Sequence, residues 1–379
     1  MSLADKLRQS GVTAPQNIRT ALWAGPAGEG PQGGVTFSLL SRFLGCRQRF
    51  YLLAVKGLKT ADQFNHRIEY GQMWHLCEEE LAQGGQRSSE TPSTFAPLRN
   101  YCLQLCRRYP TQQEQIDHWM NVCKTQFPIY QDYWDLHPDT TSRQPVFQEE
   151  VFDVPYELPS GRMVRLRGKW DSVDVLGTGK HAGVYLMENK TKGDIREEQL
   201  KRQLTFDLQT MLYTVALCHH LGSGQHPPLR GIPVRGVRYN VIRRPLSGGK
   251  GTIVRHKPSK SNPLGESKED YYNRLAGIIR DAPEEFFMRW KVETLPIDIR
   301  TFCDTCLDPI LEQLCLWHHV AVLGKKPYTL PPGACSWRHP YGVWNVLDDG
   351  GTSDLDDYLY SGSMVGLQTT SDLFPELTP

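Results

Sequence analysis

The sequence predicts a mixed α/β fold, with a sheet core flanked by helices and further helices added toward both ends. Three observations carry this expectation. Pro145–Val154, Met163–Val175 and Gly183–Thr191 read as strands separated by the turn-forming stretches LPSG and LGTGK. Helical patterns precede them. A long amphipathic pattern, about Arg196 to Leu221, follows and leads into another strand at Gly236–Arg244.

The elements are justified in chain order. Residues 1–34 are rich in Gly, Pro and Ala, include GPAGEGPQGG, and read as a flexible lead-in. Thr36–Val55 reads as a helix capped by Thr36 or Ser38, with Leu39, Phe43, Phe50 and Ala54 on one stripe. A second helix is expected at about His66–Ala82. Thr91–Pro138 reads as mainly helical, the bulk of a helical insertion over about 85–140. In Met163–Val175, Arg165, Arg167, Lys169 and Asp171 alternate with Val164, Leu166 and Trp170, the period-2 pattern of a strand with one polar face. The long helix after the strands carries Leu200, Leu204, Leu208, Met211, Leu212 and Val215 as its apolar stripe. Ser267–Ile279 and Ile297–Val322 read as helices. Trp170 and Phe206 read as core residues.

Composition narrows the class. Hydrophobic residues make up 39% and charged residues 22% of 379, as in globular proteins. No apolar run reaches the length of a membrane span, and Met1–Ser10 lacks the apolar stretch of a signal peptide, so a cytoplasmic protein without a membrane partner is expected. Ten cysteines form no compact disulfide framework, which fits reduced thiols or a metal or cluster site. The net charge of +1 hides a segregation: residues 346–379 hold seven acidic residues and no Lys or Arg, leaving +8 on the rest. Between Gly222 and Gly265 stand nine Lys or Arg and no acidic residue, a stretch able to track a phosphate backbone or to form a solvated face.

One constellation carries chemistry. Asp171 lies in RGKWDSVDV, and Glu188 and Lys190 lie in YLMENKTKG. Residues i and i+2 of a strand project to one face, so Glu188 and Lys190 point together, and the preceding Val184 and Leu186 make the pair partly buried. If the two strands form a hairpin, Asp171 approaches Glu188. Two carboxylates and an amine in a half-buried site are costly without a cation, and hard oxygen ligands suit Mg²⁺ or Mn²⁺. Gln209 and Tyr213, one helical turn apart, edge the same cleft. Without flanking motifs, the same three charges would read as a surface ion pair of little energetic worth.

Those flanking motifs are present. GKWD, MENKTKG and FDLQTMLY resemble the RecB-type branch of the PD-(D/E)XK nuclease superfamily, which reads G-x-x-D, E-x-K-T and Q-x-x-x-Y in that order. TFSLLSRFLGCRQRFYLLAVKGL resembles its opening helix, RIEYGQMWHLCEE its Gly-x-x-x-His helix, and GVRYNVIRR a strand of bacterial and phage members. The resemblance covers about Val35–Asn345. It implies a restriction-endonuclease-like core over residues 35–345, preceded by the lead-in and followed by the acidic tail 346–379. It implies that His75, Asp171, Glu188 and the Asn189 backbone carbonyl bind a divalent ion. Lys190 would orient or activate the attacking water, and Gln209 and Tyr213 would contact DNA. The implied activity is metal-dependent DNA hydrolysis, as an exonuclease in replication, recombination, repair or defence.

Two other readings stay open. One is a sequence-specific endonuclease, although no recognition domain is evident. The other is a nuclease-fold protein that binds DNA or a partner without cutting, against which the complete E-x-K stands. Arg235, Arg238, Arg243 and Arg244 are expected to touch the DNA backbone. A helicase, a recombinase or a single-strand-binding protein is the expected kind of protein partner. Some relatives hold a [4Fe–4S] cluster through one early and three late cysteines. Cys46 and Cys335 stand at two such positions, but SWRHPYGVWN after Cys335 holds no cysteine, and Cys303, Cys306 and Cys315 read as helix-packing thiols. No cluster is expected. The tail, with Leu355, Tyr358 and Phe374 among its acids, is expected to dock a partner, to compete with DNA, or to be an inert end.

Overall fold

The computed structural model describes residues 34–45, 47–50, 58–60, 64–82, 95–224, 229, 231–245, 255–260, 263–318 and 367–369. The expectations placed on the lead-in before residue 34, on Cys46, Ala54 and Cys335, and on the acidic tail apart from residues 367–369 lie outside them. The chain divides into two compact units: residues 1–62, 151–169 and 297–379, and residues 63–150 and 170–296. No helix among the described residues is long and apolar enough to cross a membrane.

Five strands, β1 (Gln144–Glu157), β2 (Met163–Leu176), β3 (Gly183–Lys192), β4 (Val234–Arg243) and β5 (Phe287–Glu293), form one sheet in chain order. β2 and β3 pair antiparallel, β3 and β4 parallel, and β4 and β5 antiparallel. The parallel step needs a crossover, and two helices supply it. The longer helices are α1 (Phe37–Gly45), α2 (His66–Ala82), α3 (Ala96–Arg108), α4 (Gln113–Trp134), α5 (Glu197–Leu204), α6 (Leu208–Gly222), α7 (Lys268–Asp281) and α8 (Asp308–Trp317). The expected mixed α/β architecture is therefore present. Strand β5 was not anticipated, although in FMRWKVE the apolar Met288, Trp290 and Val292 alternate with the charged Arg289, Lys291 and Glu293, of which Lys291 and Glu293 are exposed.

In the first unit, the Thr36 hydroxyl accepts a hydrogen bond from the Leu39 amide at 3.2 Å and caps α1, as its sequence signature requires. The stripe residues Leu39, Phe43 and Phe50 are buried. Phe43, Phe50 and Trp317 meet edge to face, with ring centroids 5.3, 5.9 and 5.2 Å apart. A π-helical turn, Cys303–Leu307, interrupts the expected Ile297–Val322 helix ahead of α8. The Tyr156 hydroxyl donates to Asp308 at 2.6 Å, at the start of α8.

In the second unit, α2, α3, α4 and α7 share an apolar core with the ends of β4 and β5, centred on Tyr70, Met73, Trp74, Phe127 and Tyr130. Trp74 is fully buried, with Phe127 and Tyr130 edge-on at 5.1 Å each. Gly71 faces β3: a methyl group there would meet the Thr191 hydroxyl at 3.4 Å, in ordinary van der Waals contact. Gly236 opens β4 at φ +149°, where a methyl group would sit 2.0 Å from the Val292 carbonyl oxygen; only glycine fits.

The expected single helix from Arg196 to Leu221 is two. Thr205 ends α5, Phe206 takes a left-handed φ of 57°, and the Asp207 carboxylate accepts from the Thr210 amide at 2.9 Å to cap α6. The apolar stripe runs through both pieces, with Leu200, Leu204, Met211, Leu212 and Val215 buried, which is why periodicity alone shows no break. An N-cap inside the pattern overrides it.

Candidate active site

The ladder between β2 and β3 runs from Leu176–Gly183 to Ser172–Met187 and stops there. Asp171 and Glu188 are the next residues outward, so the chemistry-bearing carboxylates sit where the two strands cease to pair. The Asn189 amide donates to Asp171 Oδ2 at 3.0 Å instead of to a strand neighbour. Lys190 points its ammonium into a salt bridge with Glu188 Oε1 and donates to Gln209 Oε1 at 2.8 Å. Strand β3 and helix α6 are thus joined through the lysine. Sequence reasoning placed Asp171, Glu188, Lys190 and Gln209 together, and the structure brings them together.

Helix α2 brings His75. Its Nδ1 lies 3.0 Å from Glu149 Oε1 and 3.5 Å from Asp171 Oδ1. One potential ligand atom from each of His75, Glu149 and Asp171 falls within 4.8 Å of the others. Glu149 was missed by sequence reasoning. In β1, Phe147 is buried, and so are Phe152, Val154 and Tyr156, so the buried parity switches from odd to even between them. Glu149 sits inside that switch at φ 49°. This is the signature of a β-bulge, an extra residue that re-aims a side chain. The parity change from Phe147 to Phe152 was readable in the sequence; no glycine marks the left-handed position.

The electrostatics are those of a site short of positive charge. Burial alone would lower the His75 pKa, but Asp171, Glu149 and Glu188 outweigh it and raise it to about 9. Burial pushes Glu188 up to about 7 against the pull of Lys190, and pushes Asp171 up against the pull of His75. Lys190 is raised, because Glu188 and Asp171 overcome the effect of its burial. Glu188 is 1% exposed, and its second oxygen, Oε2, is buried with no hydrogen-bond partner. Leaving a buried carboxylate oxygen without a donor is costly unless something else supplies the charge. Two further carboxylates and an imidazole beside it make a hard, mostly oxygen donor set, which fits a divalent ion.

A family model described as the PD-(D/E)XK nuclease superfamily matches residues 35–307. The chain belongs to the PD-(D/E)XK nuclease superfamily. No curated protein matches it. The PD-(D/E)XK match spans the sheet, α2, α6 and every residue of the site just described.

The remaining expected site residues of this PD-(D/E)XK chain divide. Tyr213 follows Gln209 by one turn of α6 but is 8% exposed, and its carbonyl accepts from the Trp170 indole at 3.3 Å. The side chain of Asn189 is held by Asn240 of β4, whose amide donates to Asn189 Oδ1 at 2.9 Å and to the Tyr130 hydroxyl at 2.6 Å. Asn240 too was missed; it lies in the recognised strand GVRYNVIRR, where only the three-dimensional pairing with Asn189 reveals its part.

The four arginines expected to touch the DNA backbone do not share one exposed surface. Arg238 is 4% exposed and its guanidinium reaches the Asp139 carbonyl, while Arg244 is 8% exposed and donates to the Arg67 carbonyl at 3.1 Å. Arg243 packs over the Phe286 ring and faces Glu285 at 3.6 Å. Of the four arginines, Arg235 alone is exposed. Phe206 also departs from expectation. Trp170 is fully buried as read, but Phe206 is 45% exposed.

Proposed function

We propose that this nuclease is a divalent-metal-dependent deoxyribonuclease that hydrolyses phosphodiester bonds from DNA ends, with Mg²⁺ or Mn²⁺ as its ion. The observation that carries the reading is the orphaned Glu188 Oε2 beside the His75–Glu149–Asp171 cluster, an anionic pocket short of one cation. PD-(D/E)XK nucleases generally use divalent metals, and these residues fit one.

His75, Glu149, Asp171 and Glu188 would hold the ion, with the Asn189 carbonyl as the further ligand that the family resemblance implies. When bound, the ion supplies Lewis acidity toward the phosphate and lowers the pKa of a bound water. The chain does the rest. Asp171 is fixed by the Asn189 amide, and Asn189 by Asn240, so one carboxylate direction is set before substrate arrives. Lys190 is anchored by Gln209 and Glu188, with its ammonium at the ion-binding carboxylate. From there it donates a hydrogen bond to the attacking water or to a phosphate oxygen and offsets the charge that develops there. Gln209, tied to Lys190, sets the position of that ammonium.

The test is end-labelled linear DNA and covalently closed circular DNA, each with Mg²⁺ or Mn²⁺ and with chelator. Linear DNA should be degraded from its ends and the circle spared, with no reaction in chelator. Cutting of the circle replaces the exonuclease reading with an endonuclease. Binding without cutting in either metal sinks the catalytic reading.

A further inference from the structure

Among the described residues, two that are not glycine have a left-handed backbone: Glu149 at φ 49° and Phe206 at φ 57°. The left-handed region is disfavoured for any residue with a Cβ and most of all for a bulky one. Such residues cluster where function over-determines the backbone. Glu149 fits that rule, since its bulge delivers a carboxylate to His75. Phe206 has no such account so far. Its ring is 45% exposed, and no ring contact ties it to another residue. Neither burial nor an aromatic partner offsets the unfavourable backbone.

The turn around Phe206 is nevertheless held on both sides. Before it, the Leu204 carbonyl accepts from the Tyr239 hydroxyl, and Thr205 donates back to the Lys201 carbonyl at 2.5 Å. After it, Asp207 caps α6. Tyr239 pairs in register with Glu188 across β3 and β4, and its hydroxyl also meets Thr210 at 2.8 Å. Three residues past Phe206, Gln209 accepts from Lys190. A pinned turn therefore presents an exposed aromatic ring one residue before Asp207, whose carboxylate acts on both Glu188 and Lys190, and three before Gln209.

We propose that Phe206 is a stacking platform for an unpaired base next to the scissile phosphate. The inference rests on the reading of this site as a DNA nuclease. Every base has a π-face, so a single exposed ring adds affinity without sequence preference, whereas a paired and stacked base offers it no free face. The ligand is thus single-stranded or frayed DNA rather than intact duplex. Phe206 binds substrate and takes no part in proton transfer.

The test uses the full-length protein, Phe206→Gly, Phe206→Ala and Phe206→Trp, and single-stranded oligonucleotides carrying 2-aminopurine at successive positions. Binding is read in Ca²⁺, and cleavage in Mg²⁺ or Mn²⁺. The parent should quench 2-aminopurine at one position. Phe206→Gly and Phe206→Ala should lose the quench and bind about 10-fold more weakly, with the loss in KM rather than kcat. Phe206→Trp should restore the quench. Phe206→Gly should melt no lower than the parent, because glycine relieves the left-handed strain. A Phe206→Gly protein that binds and quenches like the parent overturns the proposal, and one that melts lower with DNA affinity unchanged shows a structural role instead. Failure of the parent to bind or cut any DNA overturns the nuclease reading as well, and so is told apart from failure of Phe206 alone.

Discussion

Asp171 and Asp174 stand three residues apart on β2 and live in opposite surroundings. Asp174 is fully buried, and both its oxygens are supplied: Oδ1 by the Ser172 hydroxyl at 2.7 Å and by Gln148 at 3.1 Å, Oδ2 by the Arg143 guanidinium. Asp171 has one amide on Oδ2 and shares the His75 imidazole with Glu149, and next to it Glu188 keeps an oxygen with no donor. The same residue type is structural where its hydrogen bonds are complete and available to a ligand where they are not. The strand supplies both environments because it pairs with β3 at Ser172 and beyond, and is released at Asp171.

The sharpest test of this contrast exchanges each aspartate for alanine. Asp171→Ala and Glu188→Ala should each lower the cleavage rate by at least about 10²–10³-fold, and Asp171→Ala should do so with no loss of stability in urea unfolding. Asp174→Ala takes the closest carboxylate from the buried Arg143, leaving Glu78 at 3.8 Å and the Ser172 hydroxyl at 3.4 Å, and should cost about 3–5 kcal/mol. If Asp171→Ala unfolds as readily as Asp174→Ala, the division between the two carboxylates is wrong.

Glu149 probes the same division from β1. Glu149→Gln keeps the shape and removes the charge, so Mn²⁺ affinity measured by titration calorimetry should fall about 10–100-fold while the melting temperature holds. Unchanged affinity would remove Glu149 from the ion's surroundings. Asn240→Ala should have a smaller effect: about 10-fold in turnover, with about 1–2 kcal/mol of stability, because it frees the Asn189 side chain and leaves the Tyr130 hydroxyl with Arg289 in place of two donors. A loss of stability with turnover intact would confine Asn240 to the fold.

The smallest expected effect separates exposed from buried arginine. Arg235→Ala should reduce the slope of log affinity against log salt by about 1, while Arg238→Ala should destabilise the protein and leave that slope alone. Equal slopes for both variants would show that Arg235 does not meet phosphate.

These contrasts mark how far the sequence could be read. Asp171, Glu188 and Lys190 were legible because a strand's two-residue period is local, and three successive strand patterns set their neighbours. Gln209 was legible through its spacing on a helical pattern. Glu149 was not, because its part depends on a bulge whose left-handed residue is not glycine. Arg238 and Arg244 were misread as surface because a run of positive charge does not say which side chains the sheet buries. The break at Phe206 was hidden by an apolar stripe that continues across it, although DLQT after it carries a capping aspartate. Strand β5 was legible, since Met288, Trp290 and Val292 alternate with Arg289, Lys291 and Glu293, and it was missed.

The end of the β2–β3 ladder has a spectroscopic consequence. The Asn189 amide is bonded to a carboxylate rather than to a neighbouring strand, so its exchange with solvent hydrogen reports the state of that carboxylate. The backbone amides that pair β3 with its neighbours exchange with the opening of the sheet. This one should exchange faster when Asp171 is replaced, and its chemical shift should move when Asp171 takes on a ligand. A single ¹⁵N resonance can therefore follow occupancy of the site in the resting protein, without substrate and without turnover.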